Sequence, residues 1–162
     1  MERHALSYGF STTIDLPPAD AVRVTKEALA AEGFGVLCEI DVAATLHAKI
    51  GADVGPYVIL GACNPSLASA AIGLDHDVGL LLPCNVVIYG TSDPKRSVLS
   101  VIDPERALTL SECDALAPIA AEASARLKRA LRTVEGSQQT FAAPASVPRL
   151  ELKGDAPVEE VR

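Results

Sequence analysis

The sequence predicts a single α+β domain, and three observations carry that expectation. The chain has 162 residues, 49% of them apolar, which suffices for one well-filled core and would stretch thin over two. Strand-like and helix-like segments follow one another along it, punctuated by Pro, Gly and Asx signals. Two apolar runs, LLPCNVVIYG (81–90) and SVLSVID (97–103), flank a Gly-Thr-Ser-Asp-Pro-Lys stretch with the composition of a hairpin loop, so they are expected to pair antiparallel. With three Phe, three Tyr and no Trp, the core must be built by close packing of small and branched aliphatic side chains.

Residues 5–14 (ALSYGFSTTI) mix aromatic and β-branched types and predict a first strand, stopped at Asp15-Leu16-Pro17-Pro18. Pro18 suits the first turn of a helix in which Ala21, Val22, Thr25, Ala28 and Leu29 recur at three-to-four spacing, with Gly33 placed for a left-handed C-terminal cap. FGVLCEI (34–40) predicts a second strand. Asp41 is the expected N-cap of a short helix whose Val42, Leu46 and Ile50 share a face and which Gly51 closes. PYVILGACN (56–64) is nearly all apolar, the pattern of a strand covered on both faces or lying at a dimer contact. Asn64-Pro65 then supplies an N-cap and a first-turn proline for a helix to about Leu74. A last helix is expected from Ser111, whose Ser-x-x-Asp with Asp114 matches a capping box, with Leu116, Ile119, Ala120, Ala123, Leu127, Ala130, Leu131 and Val134 on one stripe. From Gly136 periodicity ends, so 5–135 reads as the domain and 136–162 as a flexible polar tail, in which VPRLELK (147–153) is a minor strand candidate.

Twenty-one acidic against 14 basic residues give a net charge of −7, which opposes a phosphate backbone and argues against nucleic acid as partner. Arg126, Lys128, Arg129 and Arg132 read as a solvated face of the last helix. MERHALSYGF lacks a signal-peptide apolar run, and no apolar stretch is long enough to span a bilayer, so a cytoplasmic, membrane-free protein is expected. In that compartment Cys38, Cys63, Cys84 and Cys113 are expected to be reduced thiols.

EGFGVLCEIDVAATLHAKIG (32–51), PYVILGACNPSLASAAI (56–72) and VGLLLPCNVVIYG (78–90), with the VIDP turn (101–104), resemble the family catalogued as domain of unknown function 302, from about Tyr8 to Val134. The resemblance implies a two-layer α+β sandwich with helices on a mainly antiparallel sheet, commonly a homodimer, and no established activity. The family's signature segments fall on Gly61, Ala62, Cys63, Asn64 and Pro65, and on Leu82, Pro83, Cys84 and Asn85. Cys38 stands where other members carry Thr and Cys113 lies outside the motifs, which makes those two the weaker candidates.

Cys63 precedes a predicted helix N-terminus, where backbone N–H groups favour a thiolate; it equally suits a buried apolar strand end, with Asn64 as a simple cap. Cys84 has the same ambiguity. If the strands 56–64 and 81–90 are neighbours, both thiols meet near one place. His76 would then add a third ligand of the kind Zn²⁺ takes, although neither C-x-x-C nor His-x₃-His spacing is present and no cofactor is predicted. His76 otherwise reads as a solvated loop residue beside Asp75 and Asp77, and His4 and His47 as surface residues. No G-x-S-x-G, G-x-x-x-x-G-K-[ST] or G-x-G-x-x-G motif occurs, Asp93-Pro94 and Asp103-Pro104 read as turns, and no catalytic residue is singled out. The leading expectation is a homodimeric domain binding a small ligand near Cys63, Asn64, Cys84 and Asn85. The alternatives are a thiol-dependent redox or sulfur-handling protein and a purely structural dimer.

Overall fold

The computed structural model describes the backbone of residues 3–137 and the side chains from Leu6 onward. It is an α+β sandwich: one six-stranded antiparallel sheet with helices packed on it. In chain order the main elements are β1 (Arg3–Leu6), β2 (Gly9–Ile14), α1 (Pro18–Ala31), β3 (Gly35–Asp41), α2 (Val42–Ile50), β4 (Tyr57–Cys63), α3 (Pro65–Leu74), a 3₁₀ helix (His76–Leu81), β5 (Cys84–Gly90), β6 (Ser97–Ile102), α4 (Pro104–Leu108) and α5 (Ala117–Ser137). The strand order is β1-β2-β6-β5-β4-β3, so β4 and β5 lie side by side and β3 forms an edge.

Local chemistry sets most boundaries. The α1 terminus closes as a Schellman motif: Gly33 at φ +81 donates to the Ala30 carbonyl at 3.0 Å, and Phe34 donates to Leu29 at 2.9 Å, both of the latter side chains being buried. Asp41 caps α2 by accepting from the Ala44 N–H at 2.8 Å, and Gly51 ends it at φ +67. The β5–β6 hairpin forms as expected, from Val86↔Val101 to Gly90↔Ser97.

The core lies between one sheet face and the helix pair α1 and α5. Period two along the strands sends Leu60, Val86, Ile88, Leu99 and Val101 to that face, against Val24, Leu29, Leu127 and Val134. Alanines 21, 28, 123 and 130 occupy the helix faces, which lets α1 and α5 pack on each other as well as on the sheet. A smaller cluster of Ala71, Val78, Leu108, Leu116 and Ala120 binds α3 and α4 to the start of α5.

Several expectations are corrected. The first strand is a hairpin, β1 and β2 joined at Ser7-Tyr8, a turn without the Asn-Gly or Asp-Gly chemistry that marks such sites. The last helix starts at Ala117 and not at Ser111. The Ser111 hydroxyl instead donates to the Leu108 carbonyl and accepts from the Cys113 N–H, and Glu112 sits at φ +56, which a continuous helix does not allow. The α2 face of Val42, Leu46 and Ile50 buries none of its residues, and β3 is an almost wholly exposed edge strand. His76 begins a 3₁₀ helix, not a loop. Of the basic helix face, Arg126 and Arg129 reach Glu32 at the α1 terminus, and Lys128 lies 4.7 Å from the Phe10 ring centroid. Gly136 is within α5, while the rest of the expected tail, VPRLELK included, and the His4 side chain lie outside the described residues.

Candidate functional site

The second Cys-Asn segment gets its geometry from one register. β4 and β5 pair antiparallel with Ala62 opposite Cys84 and Gly61 opposite Asn85. Because successive side chains alternate across a sheet, Ala62 and Cys84 turn toward the helices and Asn85 turns to the other face. Burial agrees: Ala62 is fully buried, Cys84 packs against the main core and Asn85 is exposed.

The two asparagines therefore do different things. Asn64 is buried and caps α3, its side-chain oxygen accepting from the Leu67 N–H at 3.1 Å. The Asn85 carboxamide has no hydrogen-bond partner among the described residues. The signature glycine is also explained. A Cβ at Gly61 would lie 2.6 Å from the Cys38 sulfur and 2.9 Å from Cγ of Pro83, so only glycine lets Pro83 and β3 approach β4 this closely.

Cys63 and Cys84 line one small apolar cavity of about 30 Å³, walled by Phe34, Ala62, Leu67 and Ile119. A water needs roughly 10–15 Å³ measured this way, so the cavity holds about two or three water-sized molecules and no metabolite. Burial pushes the Cys84 thiol up to about 11, and the neighbouring Cys63 adds to the rise. Cys84 is thus a protonated thiol at neutral pH, the opposite of the activated state a nucleophile needs.

His76 is exposed and does not line this cavity, and among the described residues no three His, Cys, Asp or Glu side chains gather as a metal cage requires. Cys63, Cys84 and His76 are therefore not brought together as a zinc-binding set. Cys38 is exposed on β3 and Cys113 is half-buried before a 3₁₀ turn. His47 is exposed on α2.

Outside the sheet, over Pro83 and Asn85, lies a hollow of about 450 Å³ that the sequence did not reveal. Its walls are the β1–β2 turn with Ser7 and Tyr8, the 3₁₀ segment at Leu80, and α4 with Arg106. Leu80 and Leu110 on its rim are 89% and 74% exposed. Asp103 ties these walls together. Its backbone N–H donates to the Tyr8 carbonyl at 2.9 Å, and its carboxylate accepts from the Glu105 N–H and the Ser124 hydroxyl, each at 3.1 Å. The Asp103-Pro104 step that reads as a turn is thus the α4 cap and a brace for the groove.

The raised Cys84 value fixes a pH dependence. The folded chain holds this proton to about pH 11, whereas the unfolded chain loses it near 9. The contribution to stability is complete below pH 9 and is lost as pH rises toward 11, amounting to at most about 3 kcal/mol for two units. Urea midpoints under reducing conditions are expected to fall more steeply with pH above 9 in the parent than in Cys84→Ala. Parallel pH slopes would show that Cys84 is not buried as a thiol.

Comparisons with known proteins accord with the resemblance in the motifs. No curated protein matches the chain. A crystal structure of an uncharacterized conserved DUF302 protein from Bacillus stearothermophilus is similar over 80% of this chain and 99% of that one, with 28% sequence identity and a TM-score of 0.73. The model of the family described as domain of unknown function DUF302 matches residues 10–134, most of the described fold including both Cys-Asn segments, and the chain belongs to that family.

Proposed function

We propose that this domain binds a small molecule in the groove over Pro83 and Asn85, with Cys63 and Cys84 serving as packing residues behind it. The carrying observation is the unpartnered Asn85 carboxamide facing a hollow of about 450 Å³. That volume lies in the usual range for small-ligand sites, and an apolar rim with a few convergent polar groups is their usual lining. The exposed Leu80 and Leu110 add an apolar surface that a ligand would cover. The thiol-dependent alternative loses support from the elevated Cys84, and the 30 Å³ cavity beside it is too small for an organic substrate.

A thermal-shift screen of small metabolites, followed by amide NMR mapping, tests this reading. Ligands that raise Tm are expected to shift Ser7, Tyr8, Leu80, Asn85 and Arg106. Asn85→Ala is expected to weaken them while leaving stability within about 0.5 kcal/mol. Asn64→Ala should instead cost about 1 kcal/mol through the lost cap and leave ligand affinity alone. Hits that map to Cys63, or none at all, overturn the proposal.

The homodimeric state is favoured by a separate observation. Leu37 and Ile40 are 69% and 45% exposed on the edge strand β3, and the register Ile40↔Ile59↔Val87 continues an apolar row across the face opposite α1 and α5. Exposed apolar edges of this kind are natural templates for pairing. Sedimentation equilibrium is expected to return the mass of a dimer, which Ile40→Lys shifts toward monomer; a monomeric parent contradicts this part of the proposal.

A further inference from the structure

The groove does not end at Arg106. Ser7 and Arg106 also line a second hollow, of about 410 Å³, which continues between β2 and α5 past Phe10, Lys128, Leu131 and Arg132. Arg106, Lys128 and Arg132 thus converge on one depression of a chain whose net charge is −7. Neither the Arg106 nor the Arg132 guanidinium has a carboxylate partner among the described residues, and Lys128 meets Glu105 only in an exposed pair at 3.7 Å. Asp103 also lines the hollow, but its carboxylate is engaged by the α4 N-terminus and Ser124. The apolar wall is as definite as the charged one, with Phe10 packed against the main core and Leu131 only 8% exposed.

We infer that the joined groove takes a small organic carboxylate, its charged end held by Arg106 and Arg132 and its apolar body displacing Lys128 from over the Phe10 ring, where the ammonium lies 4.7 Å from the centroid. The inference rests on the ligand-binding reading above and adds the class of ligand. A guanidinium presents a planar fork that matches a carboxylate bidentately, which a point-charge ammonium does not. Asp103 fastens the backbone of α4, which carries Arg106, to α5, which carries Lys128 and Arg132. Against a net negative chain, the attraction for an anion comes from this local arrangement, and screening by salt should weaken it.

Benzoate and its neutral counterpart benzamide test the assignment on the full chain, by amide NMR titration at low salt. Benzoate is expected to give saturable shifts at Ser7, Phe10, Arg106, Lys128 and Arg132. Arg106→Gln or Arg132→Gln, both exposed substitutions, should weaken binding about tenfold each. Added salt should weaken it further, and benzamide should bind at least tenfold more weakly than benzoate in the parent. Equal binding of benzamide and benzoate at these residues leaves the groove as a ligand site and overturns the anionic preference. Benzoate binding unchanged by both substitutions, or no saturable binding of benzoate, also overturns the inference.

Discussion

The arrangement of this protein depends on the register between β4 and β5. Once Ala62 faces Cys84, period two along the strands leaves no freedom: Cys84 must enter the packed side and Asn85 must leave it. A slip by one residue would expose Leu60 and Val86, now buried at the centre of the core, and carry Asn85 inside without a partner. Gly61 secures the register sterically, since Pro83 and Cys38 occupy the space a side chain would need. The two Cys-Asn segments look alike in sequence and are divided by geometry, one ending a strand and starting a helix, the other starting a strand.

The closely packed cavity and the open groove differ as sharply. On the helix side, small residues and thiols fill the space so closely that only about 30 Å³ is left, and burial keeps Cys84 protonated. Beyond Leu81, Leu82, Ile102 and Ala107, which line both spaces, the turn at Ser7-Tyr8, the 3₁₀ segment and α4 stand apart and leave a groove more than ten times larger. Asp103 joins the two, since one residue caps α4, fastens α5 through Ser124 and holds the β1–β2 turn. The groove's walls are therefore fixed by the elements that close the core.

Much of the fold was legible in the residues themselves. Asn64-Pro65, Asp41, Gly33 and Gly51 mark helix ends by chemistry that acts within a few residues, and each sits where that chemistry requires. What escaped notice depends on tertiary context. The Ser7-Tyr8 turn has no special turn residue at its centre, and Gly9 is needed because a Cβ there would lie 2.5 Å from the Val101 carbonyl, a neighbour 92 positions away. Ser111-x-x-Asp114 matches a helix start but is overruled by the left-handed Glu112. The adjacency of the two strands, expected from the sequence, brings Cys63 and Cys84 to one cavity. Tyr8, Asp103 and Arg106 were beyond reach, since they come from separate segments with no shared motif; the one available hint was Asp103-Pro104, a helix start read as a turn.

The central claim is that the thiols are structural and that a ligand binds in the adjoining groove, separated from them by Leu81, Leu82, Ile102 and Ala107, which line both spaces. Peptide-resolved iodoacetamide labelling of the native, reduced protein between pH 6 and 9 tests it most directly, with exposed Cys38 as the internal reference. The account predicts that Cys38 is modified first and that Cys84 stays nearly unreactive throughout this range. Rapid alkylation of Cys84 near pH 7, ahead of Cys38, would contradict it and return the function to the cysteines.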